Sequence, residues 1–179
     1  MGKEDSVKLK ISRELFVGMA CFVGGMALFT YKPSEVQAKK VYYTNPKALR
    51  AHTWYGHTNA YSGKWLYERI HFSKHTVYFA NKIHKDDKWK VSHIPAKRYV
   101  ISKSHGWYFF GAKASDDITT VQINRRKLGG SNRLVLSVFD QSNDKGGYQE
   151  QAPYKVWDYT TSLGTAKGWY HKINTVPSM

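Results

Sequence analysis

ITTVQINRRKLGGSNRLVLSVFD, residues 118–140, is the stretch that decides the fold. The runs 118–125 and 133–140 alternate apolar and polar side chains with the two-residue period of a strand. Thr119, Val121 and Ile123 fall on one face of the first run, and Leu134, Leu136 and Val138 on one face of the second. Leu128-Gly129-Gly130-Ser131-Asn132 lies between them, and a glycine pair supplies the positive φ that a tight hairpin turn needs. Two alternating runs around such a turn predict a β-hairpin with one apolar face.

The same grammar extends in both directions. Runs rich in aromatic and β-branched residues occupy 49–56, 65–72, 76–82, 89–94, 98–102, 107–112, 154–160 and 168–172. Turn residues separate them, notably Ser73-Lys74-His75 and Ser104-His105-Gly106. Only 161–167 could hold a short helical turn. Short, evenly spaced strands predict an all-β chain: a single antiparallel up-and-down barrel of about eight or nine strands, with a β-sandwich as the alternative. Alternation places Leu66, Glu68, Ile70 and Phe72 on one face, Trp89, Val91 and His93 on another, and Tyr154, Val156 and Asp158 on a third.

Ahead of the strands, residues 1–38 read as an export signal. Lys3, Lys8, Lys10 and Arg13 form a basic start, residues 15–31 run without a charge, and Val36-Gln37-Ala38 places small or aliphatic residues where a signal peptidase reads. The expected cut lies between Ala38 and Lys39. A retained membrane helix is the competing reading, although 17 residues span only about 25 Å against a core of about 30 Å. The myristoylation-like Met1-Gly2…Ser6 and the lipoprotein-like Gly18-Met19-Ala20-Cys21 are set aside, because a full export signal accounts for the segment. The chain then divides into a signal at 1–38, a basic leader at 39–47 and one β-domain at 48–179.

The signal carries five Lys/Arg and four Asp/Glu, so the rest keeps 23 basic against nine acidic residues, an excess of 14 positive charges. Such an excess speaks about partners rather than fold. For an exported protein the expected partners are anionic polymers of the cell envelope or a membrane surface; export argues against nucleic acid. The only cysteine, Cys21, leaves with the signal, so no disulfide supports the domain. Twenty-seven aromatic residues supply the buried area instead.

Pro46-Lys47-Ala48-Leu49-Arg50-Ala51-His52-Thr53-Trp54-Tyr55 resembles the P-x-x-L-R-G-T-W-Y opening of a group of small, mostly uncharacterised secreted proteins of lactic-acid-type Gram-positive bacteria. The likeness continues in Phe72-Ser73-Lys74-His75-Thr76-Val77 and in Lys127-Leu128-Gly129-Gly130. The opening is also similar to the G-x-W motif of lipocalin (calycin-type) barrels. There the tryptophan plugs the closed end; Trp54 would take that structural role, although His52 replaces the glycine. The resemblance implies a small barrel with an interior cavity and no particular reaction.

Catalytic signals are weak. The chain has no G-x-S-x-G and no H-E-x-x-H, and His71 and His75 straddle a strand end rather than one helix face. No metal and no cofactor is expected. Glu68, His93 and Asp158 stand out as polar residues on otherwise apolar faces, able to orient a small apolar or sugar ligand or to form an internal ion pair. Lys39, Lys40 and Lys47, with Arg125, Arg126, Lys127 and Arg133 at a hairpin tip, are the candidate polyanion contacts. The expectation is a secreted or cell-surface, monomeric, non-enzymatic β-barrel bound to the anionic envelope. An envelope-directed hydrolase and a membrane-tethered protein are the alternatives.

Overall fold

A computed structural model describes residues 41–42, 44–60, 64–141 and 149–179. The signal at 1–38, its expected cut at Ala38–Lys39, and Lys40 lie outside them. Eleven strands form one antiparallel sheet: β1 (Val41–Tyr42), β2 (Thr53–Thr58), β3 (Leu66–Phe72), β4 (Val77–Lys82), β5 (Lys90–His93), β6 (Tyr99–Ser104), β7 (Trp107–Ala112), β8 (Ile118–Leu128), β9 (Ser131–Asp140), β10 (Tyr154–Thr160) and β11 (Tyr170–Ile173). A four-residue helix, α1 (Lys47–Arg50), and a 3-10 turn at Leu163–Thr165 are the helical pieces among the described residues.

The β8–β9 hairpin forms as its sequence dictates. Leu128 pairs with Ser131 across Gly129 (φ 56°) and Gly130 (φ 84°), both in the left-handed region that the two-residue turn requires. His105 and Gly106 make the equivalent turn between β6 and β7, with φ of 46° and 84°.

Hydrogen bonding runs in the order β1-β6-β7-β8-β9-β10-β2-β3-β4-β5, with β11 also pairing β10. β10 thus joins the end of the meander back to its start through Thr160 and Tyr55. The path still ends at β1 and β5, so the sheet is not closed, contrary to a full barrel. The reason lies at Pro95. It has no N–H to continue β5, and the chain turns at once, with the Arg98 and Tyr99 N–H groups donating to the Pro95 carbonyl. The edge of β6 that would face β5 is taken by β1.

The sheet nevertheless curls around one core. Phe110 of β7 meets Phe72 of β3 at 5.1 Å between ring centroids and Phe79 of β4 at 6.1 Å. Trp54, Ile70, Val77, Ile101, Val121, Leu136, Trp157 and Tyr159 complete the interior. The inward faces expected for β3, β8 and β9 are those observed. β10 differs: Trp157 and Tyr159 face the core, while Val156 and Asp158 lie on the opposite face, also buried. Residues 161–169 fold over that face, with Thr165 Oγ1 donating to Thr160 Oγ1. A strand buried on both faces loses its alternation and hides its orientation.

Helix α1 stands where the sequence predicts the start of a strand. Pro46 (φ −52°) enters it, and its carbonyl accepts from the N–H groups of Leu49 and Arg50. From the leader, Asn45 is buried. Its Nδ2 donates to the carbonyls of Ser73 (2.8 Å) and Thr76 (2.9 Å), and its Oδ1 accepts from Tyr99 Oη (2.5 Å).

Candidate functional site

Glu68, His93 and Asp158 do not converge. The structure puts each in a different environment. Glu68, on β3, faces the core side, where its Oε2 accepts hydrogen bonds from Thr58 Oγ1 (2.7 Å) and Tyr159 Oη. Burial holds its carboxyl above the ordinary carboxylate value, an effect the two hydroxyls partly offset and the nearby Asp140 reinforces. Asp140 accepts from Trp157 Nε1 at 2.6 Å. The packing explains Gly56: the Tyr159 ring occupies the space where a side chain at 56 would begin.

Asp158 lies on the far face of β10. Its Oδ1 accepts from Ser137 Oγ (2.7 Å), and its Oδ2 lies 3.0 Å from His171 Nδ1 and 3.7 Å from Arg126 Nε. Ser137 is fully buried and bonds to the carboxylate itself, so the three side chains form a structural clasp rather than a nucleophile–base–acid relay. The clasp fastens β11 and the end of β8 across β9 and β10.

His93 is exposed at the end of β5, against the inward position expected of it, because its register partner Tyr78 faces outward. Its ring stacks on Tyr78 at 5.5 Å. This pair belongs to a feature that single-strand alternation misses. The outer face of β2–β5 forms a groove of about 420 Å³, lined by Thr53, Tyr55, Arg69, His71, Tyr78 and Val91. Register places Thr53, His71, Tyr78 and His93 in one cross-strand row and Tyr55, Arg69, Ala80 and Val91 in the next. Trp89 borders it, carrying Arg69 Cζ at 4.9 Å and Lys82 Nζ at 4.6 Å over its ring. Aromatic and cationic residues at outward positions of three neighbouring strands were the available signal, legible only once those strands are known to be adjacent.

Trp54 is fully buried, donates from Nε1 to the Leu49 carbonyl at 3.1 Å and meets the His52 ring edge-on at 5.4 Å. Lys47 is exposed on α1. At the β8–β9 tip Arg125 and Lys127 are exposed, and Arg126 pairs in register with Arg133. Arg126 is engaged by Asp158, which leaves the other three as the cationic tip. Lys39 and Lys40 fall outside the described residues.

Among the described residues no group of three His, Cys, Asp or Glu side chains could hold a metal ion, and no helix is long and apolar enough to cross a membrane. No protein-family model, curated protein or solved structure matches this chain.

Proposed function

We propose that the chain is exported and acts, without catalysing a reaction, by attaching to anionic polymers of the cell envelope. Its unclosed, curled sheet is read as a lipocalin-like barrel opened between β5 and β6, consistent with the likeness of residues 46–55 to secreted proteins of lactic-acid-type bacteria.

The observation that carries this reading is where the carboxylates go. Asp140 and Asp158 are 2% and 3% exposed, and Glu68 turns toward the core. Three of the eight acidic side chains among the described residues thus turn inward, and Asp86, Asp87, Asp116, Asp117 and Glu150 stay in solvent among more numerous exposed cations, including Lys47, Lys74, Lys97, Arg125 and Lys127. The outer surface therefore keeps a strong positive excess, and such a field concentrates polyanions.

A salt wash tests the attachment. Cells holding the protein should release it as the medium approaches 1 M salt, where screening acts within about 3 Å. Release in a form beginning at Lys39 supports cutting after Ala38. Retention at that salt, together with an amino terminus upstream of Ala38, would replace the proposal with a membrane tether.

A further inference from the structure

We infer that the outer groove of β2–β5 is a subsite for one sugar ring with a neighbouring phosphate, a single unit of a glycosylated anionic polymer. The inference rests on the polymer attachment proposed above and names the ligand.

The groove combines the two chemistries such a unit presents. The C–H face of a sugar ring is apolar and weakly positive, and it matches the negative face of an aromatic ring. Tyr78 is 38% exposed and braced by His93. Beside it Val91 lines the groove with apolar surface, in the same cross-strand row as the buried Ala80. A phosphate or carboxylate asks for a planar fork of donors, which arginine supplies. Arg69 sits in the same row, its Cζ 4.9 Å from the centroid of the Trp89 ring. No carboxylate lines the groove, and Arg69 makes no ion pair among the described residues. Lys82, whose ammonium donates to the carbonyls of Lys85 and Asp87, adds positive charge at the border. About 420 Å³ lies within the range of about 300–1,000 Å³ usual for small-ligand sites.

The same elements argue against a nucleic-acid strand. Such a strand stacks successive bases on successive exposed rings. Here Arg69 and Lys82 already sit over Trp89, and Tyr55 is only half-exposed, tilted against it at 6.3 Å. Of the two tyrosines that line the groove, Tyr78 is the exposed one, a platform for one ring.

Titration calorimetry on the full chain in its released form tests the inference. The probe is a glycosylated poly(glycerol phosphate). Its comparators are the same polymer stripped of sugar, polyaspartate of equal charge, and an oligothymidylate. The glycosylated polymer should bind about tenfold more tightly than the stripped one, the low end of a single ring stack. Tyr78→Ala should abolish that preference and Tyr78→Phe should keep it. Arg69→Gln should weaken both phosphate polymers about tenfold and change polyaspartate binding less than twofold. Equal binding of all polymers by the unaltered protein sinks the groove subsite and leaves the attachment intact. Variants that weaken every polymer alike, or tightest binding to the oligothymidylate, also overturn it. If no polymer binds, the attachment itself is wrong.

Discussion

At Glu68, hydroxyls from two other strands donate to one carboxylate oxygen on the core side. Burial lifts its pKa above 4.5, so the folded state holds a proton that the unfolded chain has already released. Stability should therefore fall as pH rises from about 4.5 to the raised value and level off above it. Urea unfolding at several pH values should show that slope in the parent and a flatter one in Glu68→Gln, which stays neutral; equal slopes would remove Glu68 as the cause. Glu68→Ala should instead cost about 1–3 kcal/mol by leaving buried hydroxyls without an acceptor. Gly56→Ala pushes a methyl into the Tyr159 ring and should cost about 1–3 kcal/mol, lowering the melting temperature by several degrees. Neither effect was legible in the sequence. Glu68 could be placed on the right face of its strand by alternation, but its hydroxyl donors come from residues 58 and 159, and no local pattern joins 68 to 159.

The strands themselves were largely legible. The runs expected at 107–112 and 154–160 are β7 and β10. A period of two survives wherever one face is wet and the other dry, as in β3. It fails in β10, where Val156 and Trp157 are both buried, and the expected orientation of that strand is reversed. It also fails before Thr53, where Pro46 starts a helix among residues that otherwise read as extended. The groove was illegible for a related reason: alternation turned Val91 and His93 of β5 inward, and only register shows that Arg69 and Val91 share an outer row. At this scale the Asp158 clasp makes a firm prediction. Asp158→Ala leaves Ser137, His171 and Arg126 without their common acceptor and should destabilise by about 1–3 kcal/mol, read by urea unfolding. A loss below about 1 kcal/mol would mean that β11 is held mainly by its backbone pairing to β10.

For the whole molecule, exposed cations outnumber exposed carboxylates among the described residues, and the proposed attachment draws on that excess. Binding to any polyanion should accordingly weaken steeply with salt, and the slope of log affinity against log salt counts the cations engaged. Neutralising Arg125 and Lys127 together should flatten that slope by about two if the hairpin tip takes part. The line where β10 meets β2 carries a different consequence. Among the described residues only Thr160 and Tyr55 are paired in register across it, and beyond them Tyr159 reaches Glu68 and packs on Gly56. Backbone amides on either side of such a seam exchange with solvent through small openings, whereas those of the eight-pair β8–β9 ladder wait for global unfolding. Deuterium uptake should therefore appear first along β2, and the molecule would breathe as two leaves hinged where its chain begins and ends its circuit.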